Sequence, residues 1–512
     1  MKIIEEWERL ESVAGKETAD ALRKLYSLYT DDIVDWFASL YDPGTGGYYA
    51  SASGRDGVFY GPDVQCTMQS IYFIIRSGLV KELGDDPRHF LPEDMQHRLI
   101  YFSKSIQSQD NGHFYQPQWG REATDSKLSR RGRDLSWATT ILSALGSAPT
   151  YDTPSGIKGD GITADEYWDS LGTTLPRPYV YSKAPYEICF ISEPDEGKLG
   201  ISYKRFMDAA ISTTPTEAKS KSGDTTSYMR SHTAFIAYLL DRAEPAFHTN
   251  PYRMGNELGS TMPEVRRCSE ELGKYRYSDS DGEGCRRFDG MTLVEMVLNV
   301  LDSSINPETG IWGDPTEKNP RGYEFCYING LFKTMSIYTA SGVSYPAKYI
   351  PKAAEAIMKC LMSDEPSETN VCDLYNVWAC VGFLRENMKL LSDTSLRLKV
   401  ERDVADILKK NAPAAILNTY EKLKGYKKYD GGFAHNYRSG SPVHQSLPVS
   451  EGLNQSDVDG TCIATTGLTR ALFDALGLSE YKPSMFDKSD FDRYLAAIEG
   501  YHPKVKKRYY LS

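Results

Sequence analysis

The sequence lacks the patterns from which metal, disulfide and membrane chemistry are usually read. Its nine cysteines are odd in number and scattered, with no CxxC pair, which argues against a disulfide framework and against a thiolate zinc site. Its eight histidines form no HExxH and no close pair, so a histidine metal site would have to be assembled from distant segments, and none is expected. Basic charge is in deficit. Lys and Arg number 59 against 70 Asp and Glu, a net charge of -11, which argues against a nucleic-acid backbone as the main partner. The basic runs SRRGR (129–133) and KVKKRYY (504–510) read as solvated surface. No apolar run approaches the ~18 residues of a membrane span. The N-terminus, MKIIEEWERLESVAGKETAD, is acidic where a secretory signal begins basic and then turns apolar. A cytoplasmic protein with no cofactor is therefore expected. Strand-like alternation is also scarce, so the chain reads as all-α.

What the sequence does contain is an echo repeated four times: 40–79, 105–147, 303–342 and a fourth copy from Tyr429. Each copy has a turn of Asp, Gly, Asn or Pro, then an aromatic, a polar loop, and an acidic residue opening an apolar-periodic helix. DPGTGG, NPETG and YDGG supply the left-handed positions a tight turn requires, and the following aromatic is expected to anchor the loop between helices. Asp63, Asp134, Glu324 and Asp457 open the helices as carboxylates at the positive end of the dipole. Glycines such as Gly78, Gly146 and Gly477 stop them. Between the copies, helical periodicity marks 21–40, 95–106, 227–242, 292–301, 350–361, 371–388 and 396–423. The segment 151–225, rich in Gly, Pro, Ser and Thr, reads as an inserted loop or lid in which YVYS and CFIS form short strands.

The units GGYY and GGF, followed by PDVQCT, RDLSWA or SDVDGTCIA, resemble those of α/α-toroid proteins: terpenoid cyclases, protein prenyltransferase β-subunits and, more loosely, six-hairpin glycosidases and polysaccharide lyases. The resemblance implies one domain over 1–512, a barrel of roughly twelve helices in inner and outer layers with its active cavity at the loop end. DVDGT, at 457–461, resembles the DxDDT acid motif of squalene and class II terpene cyclases, which implies Asp459 as an acid that protonates an alkene. Gly460 replaces the last aspartate of that motif, and the Gln and Trp repeat signature of those cyclases is missing.

Carbohydrate chemistry fits the loop composition better. Glycoside hydrolysis normally requires two carboxylates flanking the scissile bond, and loop ends around a ring can deliver such a pair. The candidate acids and bases are Asp63, Asp134, Glu324 and Asp459. Asp457 reads as the cap and Asp459, in the first helical turn, as the available partner. Arg131 or Arg133 is expected to pair with Asp134 and depress its pKa. Sugar is expected to be held by Tyr49, Tyr115, Trp119, Trp312, Tyr323, Tyr437, Arg438 and His435 through stacking and hydrogen bonds. His113 and His444 are loop histidines of the same kind. The expected function is a glycoside hydrolase acting on an oligosaccharide. A lyase or epimerase relying on Tyr and His, an isoprenoid cyclase using Asp459, and a non-catalytic sugar- or peptide-binding toroid are the alternatives.

Overall fold

The computed structural model describes residues 3–57, 60–178, 235–255, 258–259, 262, 265–266, 276–278, 286–313, 323–364 and 370–500. These residues are mostly helical, as expected. No described helix is long and apolar enough to cross a membrane.

The four-fold echo is a single structural unit. In each copy the chain turns back on itself and the aromatic after the turn forms an isolated antiparallel bridge: Tyr41 with Tyr48, Gln107 with Phe114, Ile305 with Trp312 and Lys427 with Phe433. Tyr48, Phe114, Trp312 and Phe433 have no exposure at all, which gives the expected anchor. The turn is closed by the same pair of backbone bonds each time, for example Gly112 N to Ser108 O and Ser108 N to His113 O in the second copy. The turn glycine has a physical requirement beyond its left-handed φ of 69° at Gly112 and 111° at Gly431: a Cβ there would stand 1.9 Å from Asp152 O and 2.6 Å from Asp32 O. The repeat is therefore docked by its glycine as well as by its aromatic.

Each loop feeds a helix, and these helices pack in a continuous row. Leu128–Ala144 lies against Val64–Arg76, which meets the 458–476 helix at Val458–Cys462. Leu468–Leu476 in turn packs on Cys372–Met388, and that helix on Tyr323–Ser341. The Cys372–Met388 helix starts at the same end as the others, because Val371 N donates to His435 O (2.8 Å) in the fourth loop. Further helices brace the row: Ile350–Met362 on Thr394–Leu423, Lys16–Tyr26 on Thr394–Leu423, and Glu93–Ser105 on Leu128–Ala144. Packing on both sides explains why the Cys372–Met388 helix buries residues all round, including Leu374, Val377, Trp378 and Cys380.

Several boundaries differ from expectation. Residues 21–40 form two helices, Lys16–Tyr26 and Asp32–Ser39, because Tyr29 turns away to bond Ala464 O (2.9 Å) and Thr30 bonds the Asp32 carboxylate. An unexpected helix, Ile3–Ala14, precedes them. Of the expected helix at 227–242, residues 227–234 lie outside the described residues, and 235–249 run helical through a π turn at Leu239–Ala243. In 151–225, residues 151–178 pack on the Glu93–Ser105 helix through Tyr101 to Asp165 (2.9 Å) and Lys104 to Asp160 (2.9 Å). The rest, with YVYS and CFIS, lies outside the described residues.

Two local irregularities sit beside the loop end. The 458–476 helix widens into a π turn at Ile463–Gly467, where Thr465 and Thr466 return hydroxyl bonds to Thr461 O and Cys462 O. Val443–His444 pairs with Leu447–Pro448 in a two-residue hairpin whose turn, Gln445 and Ser446, holds φ of 46° and 70°. A left-handed turn closes such a hairpin well but normally uses Asn or Gly, so His444 is held by a turn made from residues that resist it.

Candidate active site

Asp63 and Asp457 occupy equivalent places. Each precedes its helix, is fully buried, and accepts a first-turn backbone N–H: Asp63 Oδ1 from Gln65 (2.7 Å) and Asp457 Oδ1 from Gly460 (2.8 Å). Asp457 Oδ2 also accepts from the backbone of His435 (2.7 Å) and Ser441 (3.0 Å), pinning the fourth loop to its helix. Its carboxylate is fully used in holding structure together.

Asp459 points elsewhere. Its Oδ1 accepts from Gln69 Nε2 (2.6 Å), and its Oδ2 lies 3.2 Å from His435 Nδ1. Asp459 keeps 18% exposure and His435 19%, so this pair is reachable. Burial opposes charge on both residues, yet their mutual attraction wins. His435 is pushed up to about 9, while His435 and Gln69 hold Asp459 well below the ordinary carboxylate range. At neutral pH the pair is imidazolium and carboxylate. The His435–Asp459 contact is off-line for a hydrogen bond, and Gln69 Oε1 has no donor either. Two buried polar atoms thus remain unsatisfied beside a reachable carboxylate.

A second carboxylate acts on the same histidine through its charge. Asp373, in the first turn of the Cys372–Met388 helix, accepts from Asn329 Nδ2 (2.6 Å), and its charge adds to the field that keeps His435 protonated. Deeper along the same helices, half-buried polar and aromatic side chains meet one another. Tyr72 and Trp137 pack edge to face at 5.9 Å, Arg76 lies over the Tyr72 ring at 4.1 Å, and Cys462 reaches Gln69 O (3.4 Å). Their spacing within each helix, at 69, 72 and 76, at 133 and 137, and at 459 and 462, is that of one helical face.

Beneath this lies a sealed ionic cluster. Asp134 does not open its helix but sits near the end of the second turn of Leu128–Ala144. Its partner is Arg130: Arg131 pairs with Asp125 (3.0 Å), whereas Arg130 Nη2 stands 2.7 Å from both Asp134 Oδ1 and Asp63 Oδ1. The expected depression of Asp134 is reversed. Burial and repulsion from Asp63 outweigh Arg130 and push Asp134 up to about 7. In Asp63, Arg130 and His444 overcome burial and hold the carboxyl below its usual range. The Trp119 ring covers Arg130 at 4.5 Å, with its indole N–H bonded to Pro448 O (2.7 Å). Neither Asp63 nor Asp134 can touch a substrate from this position, and Trp119 offers its ring to Arg130.

Three further side chains are spent as anchors. Trp312 is fully buried with its N–H on Leu301 O (2.9 Å). Tyr49 and Tyr115 are buried and bond Asp42 (3.0 Å) and Asp125 (2.9 Å) of their own loops. Tyr437, at 39% exposure, and Arg438 are exposed to solvent. The side chains of Tyr323 and Glu324 lie outside the described residues. Cys66, Gln69, Arg130 and Asp373 are not singled out in the sequence. The i, i+3, i+6 spacing of 63, 66 and 69 is the one local sign that a capping aspartate shares its helix face with other polar groups. A carboxylate oxygen of Asp63, Cys66 Sγ and a ring nitrogen of His444 lie within 4.8 Å of one another, residue types able to hold a metal where none is expected from spacing.

A cavity of about 1040 Å³ lies elsewhere, lined by Ala379, Phe383, Arg402, Arg470 and Asp474. At 1.5 Å per residue, Asp474 is roughly 20 Å along the helix from Asp459, so this cavity belongs to the opposite end. No protein-family model, no curated protein and no solved structure matches the chain.

Proposed function

We propose that the chain is a carbohydrate-active enzyme of α/α-toroid type, one catalytic domain whose row of helices closes into a ring around Asp459 and His435. Closure is supported by the two ends of the row. Lys333 in Tyr323–Ser341 has its pKa lowered by burial and by the charge of Arg133 in Leu128–Ala144, so those helices lie within electrostatic reach of each other.

The observation that carries the functional reading is the reachable Asp459, ionised beside His435, with Asp373 acting on the same imidazole. In a hydrolase Asp459 serves as base or nucleophile, with Asp373 as second carboxylate and His435 holding the proton between them. Gln69, Asn329 and Lys333 provide polar contacts suited to hydroxyl groups, and Tyr72 and Trp137 provide aromatic rings. An isoprenoid cyclase fits less well, because it needs an acid in an apolar chamber and Asp459 is a carboxylate among polar groups. A lyase or epimerase is the second reading, favoured by His435 carrying a proton at neutral pH.

The test is chromatography of products after incubating the purified protein with a panel of oligosaccharides, and in parallel with prenyl diphosphates and squalene. Cleaved sugars with a new reducing end are expected, and Asp459→Asn should cut the rate by about 10²–10⁴-fold. Products with an ultraviolet-absorbing double bond, or epimerised sugars of unchanged length, would establish the second reading. Conversion of an isoprenoid would overturn both.

A further inference from the structure

Asp63, Cys66 and His444 come from one helix and a distant hairpin, yet their ligand atoms converge. His444 Nδ1 lies 3.9 Å from Cys66 Sγ and 3.5 Å from Asp63 Oδ2, and all three side chains are buried to 2% exposure or less. Asp63 Oδ2 has no hydrogen-bond donor. The other oxygen of Asp63 is held by Gln65 N and Arg130 Nη2, so the carboxylate is oriented with its free oxygen toward the histidine and the thiol.

One reading is a hydrogen-bonded Cys–His–Asp relay for nucleophilic catalysis. That relay needs the thiol and the carboxylate on different ring nitrogens, so that a proton taken at one is steadied from the other. Here both face Nδ1, and Nε2 is buried without a partner. A cation drawing in one sulfur, one nitrogen and one oxygen accounts for the convergence better. At zinc bond lengths of about 2.0–2.3 Å, a tetrahedral site places its ligand atoms about 3.3–3.6 Å apart. The two separations from His444 Nδ1, 3.5 and 3.9 Å, are within a few tenths of an ångström of that range, and the Asp63 and Cys66 atoms lie within 4.8 Å of each other. Charge also balances: a thiolate and a carboxylate neutralise a dication, so Arg130 does not face net positive charge.

We infer that Asp63, Cys66 and His444 form a binding site for a divalent transition-metal ion of the zinc class, with its fourth coordination position left for a water molecule. The mixed S, N and O ligand set suits zinc and excludes calcium and magnesium, which take oxygen ligands. Arg130, Gln65 N and the strained Gln445–Ser446 turn are the groups that hold the ligands in place. The site lies one helical turn from Gln69, the partner of Asp459.

The experiment uses the full chain, stripped of metal by chelation and titrated with cobalt(II), followed by absorption spectroscopy and by thermal unfolding with and without zinc. One equivalent of cobalt should give a thiolate-to-metal charge-transfer band and the intense visible bands of a tetrahedral site, and zinc should displace it. Zinc should also raise the melting temperature. Cys66→Ala and His444→Ala should each abolish the charge-transfer band or lower its affinity at least tenfold, while Cys360→Ala, a buried cysteine outside the cluster, should keep it. Folded wild-type protein that shows neither the band nor a zinc-dependent shift would overturn the proposal, whatever the variants do. Persistence of the band in folded Cys66→Ala would overturn the assignment of the thiol.

Discussion

His435 is the residue whose state most depends on its neighbours. Burial lowers its pKa and Asp459 raises it, and the folded value of about 9 stands above the ordinary 6.5. Because the folded value is the higher one, the stability His435 gains from Asp459 is present below about pH 6.5, while Asp459 stays ionised, and is lost as pH rises through about 9. Imidazole titration by NMR on ¹³C-histidine-labelled protein should find one resonance titrating near 9. It should fall markedly in Asp459→Asn, where only the charges of Asp457 and Asp373 still oppose burial; an unchanged resonance would mean that Asp459 is not its partner. The sequence disclosed part of this arrangement. The two aspartates of SDVDG divide as helix-start chemistry suggests, one a cap and one free to point away. What stayed hidden was partner choice: Arg130, one residue before the expected candidate, reaches Asp134 because i, i+4 positions share a helix face while i+3 and i+1 did not win here. The burial that reverses the shift on Asp134 is likewise a property of packing, invisible in a list of neighbours along the chain.

At the scale of the element, the recurring turn, aromatic and helix were legible because they obey local rules. A left-handed position takes glycine, an aromatic next to a turn goes inside, and a carboxylate caps the helix that follows. The glycine's second duty was not legible, since the carbonyl it meets belongs to another segment. The difference can be measured. Gly84→Ala, at φ 85° with nothing within 4 Å, should cost about 1 kcal/mol for the backbone conformation alone. Gly112→Ala adds a Cβ at 1.9 Å from Asp152 O and should cost about 3 kcal/mol or more. Denaturant unfolding of both would check this, and equal losses would mean that the turn's contact with 152 is not tight. The break at 27–31 inside an apolar-periodic run shows the opposite limit: periodicity continued, but tyrosine and threonine side chains found better partners outside the helix.

At the scale of the whole molecule, the proposed site is assembled by pairings between the two ends of the chain. Gln69 and Asp459 are 390 positions apart, and His444 meets Cys66 across 378. Neither distance is readable from periodicity or motif, which is why Asp373 had no signal of its own and Gln69 and Cys66 only their helical spacing from Asp63, while Asp459 was marked by its neighbour's role as a cap and by the likeness of DVDGT to an acid motif. The loops that carry most of the conspicuous aromatics use them to hold copies in place, and the groups proposed to react lie between the helices. The central claim is that one aspartate of the pair builds this arrangement and the other performs chemistry within it. The most direct measurement compares Asp457→Ala and Asp459→Asn for melting temperature and for turnover of whichever oligosaccharide the panel identifies. Asp457→Ala, losing three buried backbone bonds, should lose about 3–5 kcal/mol of stability and keep turnover per folded molecule within a few-fold. Asp459→Asn should remain folded, with a smaller loss of stability than Asp457→Ala, and lose turnover. The reverse pattern, or full turnover in folded Asp459→Asn, would contradict the account.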